Sequence, residues 1–247
     1  MTATQNAPRT ARERARAELT REIKEGARRQ LAATGADGIS LRAVARELGM
    51  ASSALYRYFP SRDDLLTALI IDAYDAIGEA AEQAIAEEKP DESWARDRWV
   101  AACHAIRGWA LAHPHEYALI YGSPVPGYRA PEATIGPAAR VPLAFADVLS
   151  AATAAGEDGS DAGAHAGPGA AADAMNPALA GQAAVLAAAL ASPVAPDVLV
   201  RAVIAWTQLF GMISWELFGQ FVGSFEPADA LFAHAVAQLA TFVGFEP

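Results

Sequence analysis

Cysteine is almost absent from this chain. Cys103 stands alone among 247 residues, which excludes an intrachain disulfide and fits a reducing compartment. No segment sustains the apolar–polar alternation of a half-buried strand, and no stretch repeats another, so sheet folds and repeat arrays are both excluded. Metal-site spacing is also missing. There is no HExxH and no cysteine pair, and Pro114 falls between His113 and His115, so with His104 these histidines read as surface or capping groups. Neither a nucleophile–base pair nor a Gly-rich phosphate loop occurs, which removes the common enzyme classes and leaves no cofactor to expect. The N-terminus lacks the apolar region of a secretory signal. The most apolar run, between Arg201 and Glu216, has fourteen positions against the roughly 20 that a bilayer crossing needs. The sequence therefore predicts a cytoplasmic protein that does not span a membrane.

Basic charge is scarce overall, at 19 Lys and Arg against 29 Asp and Glu, but it is not evenly spread. Residues 1–62 hold twelve basic and six acidic residues and carry +6. The remainder holds seven and twenty-three and carries −16. Such an asymmetry suggests a nucleic-acid face at one end and a different task at the other.

What fills the chain is helical periodicity, so the fold class is all-α. Leu19, Ile23, Ala27 and Leu31 recur every four residues, and Gly35 and Gly38 end that helix. Ser40 is placed to cap "LRAVARELG", whose Leu41, Val44, Ala45 and Leu48 form a buried stripe closed by Gly49. A three-residue turn leads into "SALYRYF", which Pro60 stops. Ser61 and Asp64 then form a capping box for a long helix to about Glu88. Alanine-, tryptophan- and acid-rich helices follow, interrupted by the proline-rich connection 123–137 and by a Gly/Ala/Asp stretch over 157–177 that reads as a disordered loop. Two strongly apolar helices close the chain. The domain reading is a flexible basic arm over 1–15, a DNA-binding domain over 16–62, and a larger helical domain over 63–247.

Two short helices joined by a glycine-containing turn make a helix-turn-helix, whose second helix must bury one side and offer the other to a major groove. Leu55 and Phe59, four apart, anchor inward, which leaves Ser52, Ser53, Tyr56 and Arg57 outside. Serine hydroxyls and Tyr56 suit phosphates or base edges, and Arg57 suits the two acceptors of guanine. Ser40 and Arg62, at helix starts, suit phosphates.

The stretch "ISLRAVARELGMASSALYRYFPSRDDLL" resembles the DNA-binding region of the TetR/AcrR family of transcriptional regulators. The resemblance rests on Ser40, Val44-Ala45, Gly49, Leu55-Tyr56, Phe59 and Arg62-Asp63 before Leu65, and extends over residues 16–80. It implies a DNA-contacting set of Ser40, Arg42, Ser52, Ser53, Tyr56, Tyr58 and Arg62, with Arg57 where operator preference is set. The chain departs from the family pattern at Ser53 (often Gly or Ala), Ala54 (often Thr) and Arg62 (usually Lys). The C-terminal half is similar, less specifically, to a subgroup with a Trp-His-Gly motif: Trp206 and Gly211 match, while Phe210 replaces the histidine.

The resemblance implies a repressor that binds a palindromic operator as a homodimer and leaves it when a small effector binds. Control by a protein partner stands as the alternative. Trp109, Tyr117, Tyr121, Trp206, Phe210 and Trp215 are candidates for an apolar effector cavity, and packed core fits their spacing as well. Glu216 reads as solvent-facing. Leu231, Ala235, Leu239 and Phe242 form a stripe suited to a dimer interface, widened by Phe232, Val236 and Val243.

Overall fold

The computed structural model describes residues 10–88, 94–157, 175–190 and 193–245, with only the backbone described over 155–157. Among them are ten α-helices, two single-turn 3-10 helices and no strand. The all-α expectation holds. The helices are α1 (Ala11–Thr34), α2 (Leu41–Glu47), α3 (Ser52–Leu55), α4 (Arg62–Glu87), α5 (Trp94–Ala112), α6 (Pro114–Tyr121), α7 (Ile135–Glu157), α8 (Pro177–Ala189), α9 (Pro196–Leu217) and α10 (Asp229–Val243).

The chain divides into two compact units. The first joins residues up to Ala73 with His115–Ile135, and the second joins Tyr74–Pro114 with Gly136 onward. This differs from a single boundary at 62/63, for a reason that lies in the core of the first unit. That core is built from Ile23, Ala27 and Leu31 of α1, Leu41, Val44 and Ala45 of α2, Leu55 and Phe59 of the next turn, and Leu65, Leu66 and Leu69 of α4. Leu119, Val125 and Tyr128 pack against the same cluster, and Thr67 shares a 2.9 Å hydroxyl–hydroxyl hydrogen bond with Tyr128. Residues from beyond α5 thus complete the apolar surface that a small three-helix unit leaves open.

The basic arm is shorter than the sequence suggests. Thr10 Oγ1 accepts from the Glu13 amide at 3.2 Å while Glu13 Oε2 accepts from the Thr10 amide at 2.8 Å, a reciprocal cap that starts α1 at Ala11. Residues 11–15, read from sequence as part of a flexible arm, are therefore helical. Residues 1–9 lie outside the described residues, as do 158–174 of the loop expected over 157–177.

In the second unit, α5 packs on α9 and α10, and α8 on α9. Trp99 of α5 meets Phe145 of α7 at a ring-centroid distance of 4.5 Å. The later half of α4 holds α7 through Arg140, which donates to the Asp75 carbonyl (2.8 Å) and to Glu82 (2.9 Å). Gly78 permits that approach, because a Cβ there would lie 2.7 Å from the Arg140 Cβ.

By length and composition alone, α9 and the segment Glu132–Ala154, which includes most of α7, are apolar enough to cross a membrane, a test that core helices also pass. In α9, Leu199, Ala205, Leu209, Phe210 and Ile213 are buried, Arg201 pairs with Asp197, and Glu216 is engaged by an arginine of α5. These are features of a core helix of a helical bundle.

Candidate nucleic-acid interface

The turn between α2 and α3 follows directly from its residues. The Met50 amide reaches back to the Ala45 carbonyl at 2.8 Å, and Gly49 takes φ +65°, which a side chain would strain. α3 is regular only over Ser52–Leu55. Hydrogen bonds from the amides of Tyr56 to Ser52, Arg57 to Ala54 and Phe59 to Leu55 carry the turn on to Phe59. The expected helix through Phe59 is thus one short helix plus a continuing turn. Pro60, which has no amide hydrogen, closes it.

This backbone sorts the candidate residues. Leu55 and Phe59 are buried, as the spacing requires. Ser53, Tyr56, Arg57 and Arg42 are exposed, Tyr56 at 42%, and Ser52 is half-buried. Ser40 sits at the N-cap of α2, yet its side chain makes no capping bond; its amide donates instead to Gln30 Oε1 at 3.2 Å. Tyr58 packs against the core cluster with the Arg16 guanidinium 5.7 Å from its ring centre.

Arg62 departs most from expectation. It donates to the Ala36 carbonyl at 2.8 Å and the Ile39 carbonyl at 3.3 Å, pinning the α1–α2 connection rather than standing free for phosphate. Arg62→Ala is therefore expected to destabilise the fold by roughly 1–3 kcal/mol, as the loss of charge-assisted bonds does. A lowered thermal midpoint in the absence of DNA checks this.

The same sorting applies to the other described cations of this end. Arg21 pairs with Glu18, Lys24 and Arg28 with Asp72, Arg28 also with Glu116, and Arg29 with Glu47. Arg12, Arg14, Arg16, Arg42, Arg46 and Arg57 have no carboxylate partner among the described residues. The +6 balance of the sequence thus resolves into committed and uncommitted charges.

The aromatic candidates for an effector cavity are divided between the two units. Tyr117 is buried and meets Tyr121 at 5.2 Å in the first unit. Trp109, Trp206, Phe210 and Trp215 belong to the second. There Trp206 meets Phe210 at 5.9 Å, Trp109 stacks on His113 at 5.1 Å, and Trp215 is 58% exposed. No single unit therefore holds more than four of the six.

Sequence reasoning missed the strongest polar feature of the second unit. Arg107 of α5 is buried and holds Glu216 of α9 with both arms, Nε to Oε2 at 2.7 Å and Nη2 to Oε1 at 2.6 Å. Asp229, at the start of α10, accepts from Nη1 at 3.1 Å, and the Phe232 ring lies 4.9 Å from the guanidinium. Glu216 is therefore paired rather than solvent-facing, and its hydrogen bonds raise the Arg107 pKa. Only the bare presence of an arginine in an apolar helix hinted at the pair.

His104 packs edge-on to Phe232, and burial, followed by the nearby Arg107 charge, lowers its pKa. The unfolded chain thus binds a proton more readily than the folded one, so stability is expected to fall as pH drops below about 6.5. Among the described residues, no three His, Cys, Asp or Glu side chains cluster to hold a metal.

Residues 23–69 match the family described as "Bacterial regulatory proteins, tetR family", and residues 99–239 match the "Tetracyclin repressor-like, C-terminal domain". HTH-type transcriptional regulators of Mycobacterium bovis and Mycobacterium tuberculosis are each 39% identical over 208 residues, 84% of either chain. The chain belongs to the TetR family of transcriptional regulators. A crystal structure described as a regulatory protein superposes with a TM-score of 0.71 and 35% identity, covering 94% of this chain and 98% of that one. A TetR family regulator from Marinobacter aquaeolei VT8 shares the fold at a TM-score of 0.57 and 17% identity, covering 94% and 100%. This TetR protein is accordingly a DNA-binding, helix-turn-helix transcriptional regulator and not an enzyme.

Proposed function

We propose that this TetR regulator is a cytoplasmic repressor that binds a palindromic operator as a homodimer and is released by a small lipophilic effector. The observation that carries this reading is the recognition turn, where Leu55 and Phe59 are buried while Ser53, Tyr56 and Arg57 face outward. A two-fold dimer offers two such turns to successive major grooves, hence a palindrome. Arg57 is the base reader, Ser52, Ser53 and Tyr56 contact backbone or base edges, and Arg42 grips phosphate. Arg57→Ala is expected to relax base preference at one position by about 1–3 kcal/mol of discrimination. Anisotropy titrations against single-base operator variants check it.

The dimer face is α10 with α9. Leu231, Ala235, Leu239 and Phe242 lie beside a separate stripe of Phe232, Val236, Ala240 and Val243 that is buried within the subunit. Phe232, Val236 and Val243 therefore belong to the subunit's own core and do not widen the interface as the sequence suggested. Phe242 stays 43% exposed, alongside Val203 at 44% and Ile204 at 43% on α9, an apolar surface suited to an intermolecular four-helix bundle.

The effector site draws on Trp109, Trp206, Phe210 and Trp215 of α5 and α9, with a neutral or cationic ligand favoured by the acidic balance of that part of the chain. Tyr117 and Tyr121 are not needed in that lining. A compound that binds only the folded state raises the melting temperature, and by linkage it weakens operator affinity by the factor by which operator weakens its own. Screening compounds by thermal shift and titrating each against the DNA complex tests the switch. If every tight binder leaves operator affinity unchanged, control passes to a protein partner.

A further inference from the structure

We propose that the N-terminal turns of α1 form a second phosphate-gripping element, in which Arg12 and Arg16 hold the sugar–phosphate backbone flanking the base pairs read by the recognition turn. The inference rests on the DNA-binding reading and adds a contact outside the helix-turn-helix. Three observations carry it. First, the reciprocal Thr10–Glu13 cap makes this segment a capped helix, and two acidic residues on it are occupied, Glu13 by the cap and Glu18 by Arg21. Second, Arg12 and Arg16 are exposed and have no carboxylate partner among the described residues, so their charge is available. Third, the Arg16 guanidinium lies over the ring of Tyr58, the residue after Arg57, which places this face of α1 beside the recognition turn.

Helix geometry then separates the arginines. Residues 12 and 16 are four apart and share a face, while Arg14 is turned about 200° from Arg12. Beside Arg16 opens a groove of about 680 Å³, where Arg21, Lys24 and Arg28 are already paired with carboxylates and Arg16 is the lining cation left uncommitted. Tyr58, assigned to DNA contact by resemblance, here becomes the platform that holds Arg16 in place.

The experiment uses the full-length protein and two duplexes, the selected operator with its natural flanks and the same operator trimmed to the recognised base pairs. Anisotropy is measured across a salt series for wild type, Arg12→Ala with Arg16→Ala, and Arg14→Ala alone, after thermal melts verify folding. The double variant is expected to bind the flanked duplex about tenfold more weakly near 150 mM salt, and to flatten the slope of log K against log salt by about 0.9 for each lost phosphate contact. Its base preference stays as in wild type, the trimmed duplex shows little difference, and Arg14→Ala stays within about twofold of wild type. Wild-type affinity and slope in the double variant overturn the inference while leaving the DNA-binding reading intact. An equal loss in Arg14→Ala also overturns it, since bulk charge then accounts for the effect. Failure of the wild type to bind either duplex overturns the reading beneath it.

Discussion

Arg107→Ala is expected to destabilise the protein by about 3–5 kcal/mol, because it leaves a carboxylate in the helical core without its cation. Arg107 and Glu216 retain only 9% and 16% side-chain exposure, and both guanidinium bonds to Glu216 are shorter than 2.8 Å. Water reaches neither group well enough to replace the lost partner. Asp229, by contrast, keeps 72% exposure, so Asp229→Asn is expected to cost no more than about 1 kcal/mol. Replacing both buried partners with apolar residues of similar length, Arg107→Met with Glu216→Leu, recovers most of the loss, since no charge is then left unpaired. Urea unfolding monitored by circular dichroism at fixed pH checks the series. Equal losses in the single and double variants would show that packing around the pair, not the pair itself, is what the core needs.

Leu239→Glu combined with Phe242→Glu is expected to yield a folded monomer with operator affinity reduced at least about a hundredfold. A carboxylate in a desolvated interface opposes association, and two half-sites bound by separate subunits lose the effective concentration that a dimer provides. Both positions avoid the buried stripe of Phe232, Val236, Ala240 and Val243, so the subunit core survives the change. Sedimentation at micromolar concentration, followed by anisotropy on the same samples, reads both effects. A monodisperse wild-type monomer that binds operator would remove the dimer from the account.

The parts legible in the sequence were those set by local rules. The four-residue spacing of Ile23, Ala27 and Leu31, the Gly49 stop, the inward pair Leu55 and Phe59, and the Ser61 start of α4 all depend on neighbours within one or two helical turns. The outward placement of Tyr56 and Arg57 follows from the same periodicity. What the sequence hid was set by partners far along the chain. Arg62 looks like a phosphate ligand until the carbonyls of Ala36 and Ile39 are seen to hold it. Arg107 and Glu216 are 109 positions apart, and nothing in either neighbourhood specifies the other. The place of residues 115–135 in the first unit rests on Leu119, Val125 and Tyr128 covering a core formed elsewhere. The Thr10 cap is legible from Glu13 three residues later, but the arginine-rich run around it carries no apolar stripe to mark a helix.

The most direct test of the central claim is a binding selection from random duplex DNA, run in parallel with full-length wild type and Arg57→Ala at physiological salt. The account predicts that wild type enriches one palindromic sequence whose half-sites are centred about one helical turn, or a multiple of it, apart, and that Arg57→Ala retains binding while losing preference at a single position in each half-site. Enrichment of no sequence by the wild type, or the same palindrome with undiminished preference from Arg57→Ala, would contradict it.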